Sequence, residues 1–313
     1  MSARVRLRSL AKINLDLRVL GKRTDGFHEL RTIFQTISLA DTIEIEYEHG
    51  RTRIELHSNL DIPGNLILKA TDLVMKAARA TGRLRFTLTK RIPLGGGLGG
   101  GSSNAAAILL ALPSLLGRPV PFEKLLELAA ELGSDVPFFL TGGTALGIGR
   151  GAEVYPLPDV TSSPGLLVAP GIHSSTAAAY QALARQPLSE VNTSTINNFQ
   201  WVAGGCGVPG AKFRNDFETV VFQSHPQLES IKGKLLKLGA WRAMMTGSGS
   251  SLFGMFLDRE VRDRAAKWFR KEFNYQVFPF ATVTRVRYRA LWWRQLGISP
   301  ESRLWPPQDR YAR

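Results

Sequence analysis

Apolar and polar residues alternate through the opening of the chain. Over residues 5–19 the positions Ala11, Ile13, Leu15, Leu17 and Val19 share one parity, which predicts a strand with these side chains toward a core. Lys12, Asn14 and Asp16 then lie on the opposite face. Alternate strand residues stand roughly 7 Å apart, so Lys12 and Asn14 can reach one ligand, although from the residues alone a solvated sheet face is the better explanation of Lys12. Residues 29–37, 41–47 and 53–56 read as further antiparallel strands. The spacing then changes: Leu66, Ile67, Ala70, Leu73, Val74, Ala77 and Ala78 recur with the helical period, predicting a helix over 65–81. Alternation returns at 84–89, followed by helix formers at 105–112 that end at Pro113, and a helix over 122–132 ended by Gly133.

Glycine-rich strands over 141–151 close this half, and the proline- and serine-bearing stretch 156–164 is the expected boundary. Beyond it the pattern predicts a strand at 166–169 and a helix capped by Ser174 or Ser175. Helices over 213–222 and 226–238 follow, then strands at 240–245 and 252–257, a helix at 259–271 and a strand at 275–281. Residues 187–211 carry little pattern. Strands come in consecutive runs without regular βαβ alternation, so the class is α+β. The expected domains are 1–157, 158–283 and a C-terminal extension, 284–313.

Three stretches carry candidate chemistry. The first holds six glycines in the seven positions 95–101, interrupted only by Leu98, between the strand at 84–89 and a helix for which Ser102, Ser103 and Asn104 are good caps. Glycines let backbone N–H groups approach a ligand, and a helix N-terminus favours an anion, so strand, glycine loop and helix together predict a phosphate site. Neither a Walker loop nor a dinucleotide fingerprint fits, because no Gly-Lys-Ser/Thr follows and Gly97-x-Gly99-x-x-Ser102 matches G-x-G-x-x-G loosely. The second is Gly133-Ser-Asp-Val-Pro-Phe-Phe, a helix start with Ser134 as cap and Asp135 beside the dipole, a carboxylate held rigidly. The third, Thr246-Gly-Ser-Gly-Ser-Ser251, reads as a hairpin loop.

Pro93-Leu-Gly-Gly-Gly-Leu-Gly-Gly-Gly-Ser-Ser-Asn-Ala-Ala resembles the ATP-binding motif of the galactokinase, homoserine kinase, mevalonate kinase and phosphomevalonate kinase (GHMP) superfamily. The triple glycines flanking Leu98 are most similar to its branch acting on 4-diphosphocytidyl-2-C-methyl-D-erythritol in non-mevalonate isoprenoid synthesis. The likeness extends to Ala11-Lys-Ile-Asn-Leu, Gly21-Lys-Arg-Thr-Asp-Gly-Phe-His, Gly133-Ser-Asp-Val-Pro-Phe-Phe and Met245-Thr-Gly-Ser-Gly-Ser-Ser-Leu-Phe. It implies a ribosomal-protein-S5-like N-terminal half, a second α+β half and a site between them. It further implies a kinase that takes ATP with Mg²⁺ and a cytidine diphospho-methylerythritol substrate. By the same likeness Lys12 and Asp135 are catalytic. Pro93, Gly95, Gly96, Gly97, Leu98, Gly99, Gly100, Gly101, Ser102, Ser103, Gly247 and Gly249 hold ATP, and Asn14, Phe27, His28 and Tyr180 hold the substrate. Phe27 stands where tyrosine is common in relatives. No protein ligand for the metal can be named.

Composition adjusts this picture at its edges. The net charge of +14 favours anionic partners, and residues 284–313 hold seven arginines against Glu301 and Asp309. With Trp292, Trp293 and Trp305 this tail also suits single-stranded nucleic acid, the competing reading, although such a binder needs no glycine loops. The tail lies beyond the likeness and is expected to be an appendage, with Trp292 and Trp293 packed on the second half. Cys206 alone excludes an internal disulfide, and His173 is expected to be structural. The longest apolar run is far short of a membrane span and no secretory leader is visible, so the expected compartment is the cytoplasm.

Overall fold

The computed structural model describes residues 2–172, 174–183, 213–273, 275–298 and 305–307. Cys206, His173 and all of 187–211 lie outside the described residues. Strands β1 (Ser2–Lys22) and β2 (His28–Glu48), 21 residues each, pair antiparallel along their length. Residues 38–40 hold no glycine or proline to break β2, so the two strands expected over 29–47 are one. A register shift between Leu10 and Lys12 lets the ribbon bend at this point.

The other edge of β2 takes β4 (Arg83–Thr89) at residues 42–48 and β5 (Thr144–Gly149) at residues 30–35; β6 (Glu153–Pro156) pairs with β5. β3 (Arg53–Ser58) runs parallel to β4, a correction to the antiparallel expectation, because α1 (Leu66–Ala77) carries the chain back between them. The helix opens at Asn65, whose Oδ1 accepts the Ile67 N–H at 3.0 Å. Along β4, Leu84, Phe86 and Leu88 face the core while Arg83, Arg85 and Thr87 face solvent. Helices therefore cover one face of this sheet.

Helix α2 (Gly100–Leu116) is apolar on every side, and residues 103–114 are buried. It runs through Pro113, where the sequence pattern ended it, and stops one turn later at the left-handed Gly117. α3 (Phe122–Leu132) and the short α4 (Val136–Thr141) complete the layer.

The second sheet is antiparallel, in the order β10 (Gln276–Ala281), β7 (Pro164–Ala169), β9 (Leu252–Met255), β8 (Arg242–Met245). It packs with α5 (Thr176–Leu183), α6 (Glu218–Ser224), α7 (Pro226–Lys237) and α8 (Arg259–Phe273). The helix expected from 213 begins only at Glu218, because Asn215 is bridged to Leu17 of β1. β1 joins the halves: Val5, Leu7 and Leu10 enter the first core, Ala11, Ile13 and Leu15 the seam, and Leu17 and Val19 the second core.

The tail is no appendage. Helix α9 (Arg285–Leu296) places Tyr288, Trp292 and Leu296, four residues apart, in the core of the first half rather than on the second. Trp305 donates its indole N–H to the Leu140 carbonyl. All three tryptophans that suggested stacking on nucleic acid are thus engaged with protein, Trp293 packing on the same core and edge-on against Trp305. Among the described residues no helix is long and apolar enough to cross a membrane.

Candidate active site

The face of β1 opposite its apolar stripe is buried under the second half, so Lys12, Asn14 and Asp16 are enclosed rather than solvated. The Lys12 ammonium donates to Asn14 Oδ1 at 2.8 Å and stands 3.2 Å from Asp135 Oδ2. The lysine side chain is 4% exposed and that of Asp135 32%, so the carboxylate alone opens to the cleft. Asn14 Oδ1 also accepts the Gly247 N–H (2.9 Å), and its amide donates to the Thr32 hydroxyl (2.7 Å). Expected on the substrate, Asn14 is engaged with protein on both ends and fixes Lys12 against the third loop.

The glycine loop crosses this point. The Lys12 N–H donates to the Leu98 carbonyl at 3.0 Å, which draws the loop onto β1. The Thr246 hydroxyl accepts the Asn14 N–H and donates to the Gly97 carbonyl, both at 3.1 Å. A Cβ on Gly97 would stand 2.1 Å from the Thr246 carbonyl oxygen, so only glycine permits the two loops to touch. The loop is anchored upstream by Asp41, which pairs with Lys90 and accepts the Arg91 and Ile92 N–H groups at 2.8 Å. The N-cap of helix α2 is the left-handed Gly99, which offers no side-chain cap. The serines proposed as caps therefore lie inside the first turn. Ser103 is buried and its hydroxyl donates to the Leu10 carbonyl, which removes it from the phosphate cradle.

Two cavities meet at the loop. One, of about 710 Å³, is lined by Lys12, Asn14, Phe27, His28, Asp135, Tyr180, Gly95, Gly97, Gly99, Gly247 and Gly249 among others. The other, of about 1070 Å³, is lined by Lys90, Pro93, Gly95 and Gly96 with Asn59, Leu60, Leu94 and residues of the second half. Gly95 belongs to both, so the loop is the partition. Leu98 is buried in the seam, and Gly100, Gly101 and Ser102 form the first turn of α2.

At the far end of the first cavity Phe27 is half exposed, with the Arg150 guanidinium 3.9 Å from its ring centre. His28 stacks on Tyr180 (4.7 Å, 20°), which meets Phe217 edge-on. His28 Nε2 is buried without a hydrogen-bond partner among the described residues. Burial, then the nearby Lys22, holds the imidazole below its ordinary pKa. Burial first, and the Asp135 charge second, push the Tyr180 phenol up to about 12. The sequence reading missed Thr32, Ser134, Arg150, Thr176, Phe217 and Ser248, which also line this cavity, and the connectors Thr246 and Asn215. Arg150 alone had a local signal, an arginine between Gly149 and Gly151. Among the described residues no three His, Cys, Asp or Glu side chains converge as metal ligands.

Residues 65–143 match the model of the GHMP kinases N terminal domain, and residues 201–274 that of the GHMP kinases C terminal. The 4-diphosphocytidyl-2-C-methyl-D-erythritol kinase of Solibacter usitatus (strain Ellin6076) is 55% identical over 310 residues, 97% of each chain. A crystal structure of 4-(cytidine 5'-diphospho)-2C-methyl-D-erythritol kinase superposes with a TM-score of 0.76 at 34% identity, over 88% of this chain and 98% of that one. Homoserine kinase from Cytophaga hutchinsonii ATCC 33406 shares the fold alone, with a TM-score of 0.65 at 19% identity over 90% and 95% of the chains. Likeness over nearly the whole sequence, together with the fold that brings Lys12, the glycine loop and Asp135 to one point, makes this chain a member of the GHMP kinases and, within them, of the 4-diphosphocytidyl-2-C-methyl-D-erythritol kinase family.

Proposed function

We propose that the chain transfers the γ-phosphoryl of ATP to the 2-hydroxyl of 4-diphosphocytidyl-2-C-methyl-D-erythritol, giving the 2-phosphate and ADP. The observation that carries this reading is one cleft with the Lys12–Asp135 pair and glycine loop at one end and the Phe27, His28, Tyr180 cluster at the other. Phosphoryl transfer asks mainly for positioning and charge stabilisation. Asp135 accepts the proton of the attacking hydroxyl, while Lys12 neutralises charge at the same oxygen. Backbone N–H groups of the loop and of the first turn of α2 receive the phosphates. The nucleoside of ATP occupies the cavity beyond Gly95 and the acceptor the cavity before it. Bound Mg²⁺ supplies charge neutralisation on the phosphates. The described residues offer no cluster of three acidic, His or Cys side chains for it, so the phosphates of ATP would supply much of its coordination. ATP as co-substrate fits a cytoplasmic enzyme.

At the aromatic end, Phe27 stacks on the base and His28 turns its unpartnered nitrogen to the base edge. Arg150 places a positive charge beside the same ring, suited to the diphosphate. The test is ADP release with the cytidine diphospho-alcohol, its uridine analogue and homoserine. Turnover confined to the first, with a new phosphomonoester in the product, is expected; equal turnover of the two nucleotides would remove the cytidine site.

A further inference from the structure

Helix α4 carries Asp135 at its N-terminal end and is only six residues long, with no side-chain cap there. So short a helix is marginal by itself, and its last carbonyls have no partners within it. Both are satisfied from the C-terminal segment. The Tyr288 hydroxyl donates to the Phe139 carbonyl at 2.5 Å and the Trp305 indole N–H to the Leu140 carbonyl at 2.8 Å. The Tyr288 ring lies directly on the turn that ends α4: a Cβ on Gly142 would come within 2.3 Å of it. On its other side α9 reaches β1, where Gln295 Oε1 accepts the Arg8 N–H at 2.7 Å, four residues before Lys12. One segment thus grips both elements that bear the Lys12–Asp135 pair.

We infer that the C-terminal segment is a positioning element of the active site: Tyr288 and Trp305 hold the far end of α4 and so fix the Asp135 carboxylate at its distance from Lys12. The inference rests on the reading of Asp135 as the proton acceptor. Loss of the Tyr288 hydroxyl leaves a buried carbonyl without a donor, which α4 relieves by shifting.

The experiment uses the full-length protein with Tyr288→Phe, Trp305→Phe and, as control, Val286→Ala, which is 73% exposed on α9. kcat and both KM values are measured well below each thermal midpoint, and Tyr288→Phe is repeated in an Asp135→Asn background. In Tyr288→Phe kcat should fall about tenfold with KM unchanged, since displacements near 1 Å cost up to ~10²-fold. Trp305→Phe should do the same, and Val286→Ala should match the unmodified protein. Added to Asp135→Asn, Tyr288→Phe should cause no further loss, because its effect passes through the carboxylate. Unaltered kcat in both tail variants, or an equal loss in both backgrounds, overturns the inference. Normal turnover by Asp135→Asn alone overturns the reading of Asp135 itself, and is recognised without any tail variant.

Discussion

On the proposed reading, chemistry rests on Asp135 and selectivity on His28. Asp135→Asn preserves the helix start and the Lys12 contact geometry while removing the proton acceptor. Its kcat should fall ~10²–10⁴-fold with ATP affinity retained, as read by single-turnover kinetics and nucleotide titration; near-normal kcat would leave Asp135 a helix start only. In that reading His28 offers a nitrogen to N3 of cytosine, an acceptor that is a donor in uracil. A buried mismatch costs about 1–3 kcal/mol per group. His28→Ala should therefore narrow the cytidine-over-uridine ratio of kcat/KM, whereas Phe27→Ala weakens both because stacking suits either base. The depressed His28 pKa also has a sign. The folded state binds this proton less readily than the unfolded chain, so the contribution of His28 to stability is present above the ordinary 6.5 and lost as pH falls below it. Thermal midpoints measured across that range should drop with acidity, and less so in His28→Gln.

At the scale of elements, the glycine loop is a structural joint as much as a phosphate site. Substitution at Gly99, attractive from sequence as a selective block to ATP, brings a Cβ within 2.9 Å of the Phe139 ring and 3.2 Å of Lys12, and so disturbs the catalytic pair too. Gly97→Ala drives a methyl into the Thr246 carbonyl and should part the two loops, lowering both ATP affinity and the thermal midpoint. Gly101 is the cleaner probe, because an added Cβ meets only Leu66 Cδ1 at 3.8 Å. Gly101→Ala should keep the midpoint within about 1–2 °C, the shift expected of a surface change of ±0.5 kcal/mol or less. Any loss of ATP affinity then reports the phosphate approach itself; equal midpoints for the Gly97 and Gly101 variants would contradict the joint.

The whole molecule depends on its tail. Trp292 is 1% exposed inside the first core. Trp292→Ala should cost about 3–5 kcal/mol, as large aromatic truncations do, visible as a lower denaturant midpoint. Removal of 286–313 should cost more and reduce soluble yield, the reverse of the appendage expected from sequence. A truncated protein with an unchanged unfolding transition would return the tail to that role.

The sequence by itself determined what local spacing and chemistry can encode. Alternation at 84–89, the helical period at 66–78, the glycine cluster before an apolar helix and Asp135 at a helix start all follow from backbone periodicity and conformational preference. The motifs also pointed to the residues proposed to bear the chemistry, Lys12, Asp135, Phe27, His28 and glycines of the loop, and these line one cleft. Partnership across the chain was decided only by tertiary structure. Nothing near Asn14 tells that its carbonyl accepts Gly247, and nothing near Asn215 tells that its amide holds the Met245 and Gly247 carbonyls. Ser103 turned to Leu10, and β3 lay parallel to β4, for the same reason: hydrogen-bond partners hundreds or tens of residues away are chosen by packing. The tail shows this most plainly. Tyr288, Trp292 and Leu296 form an apolar stripe that requires burial, but only the folded first half decides which core receives it.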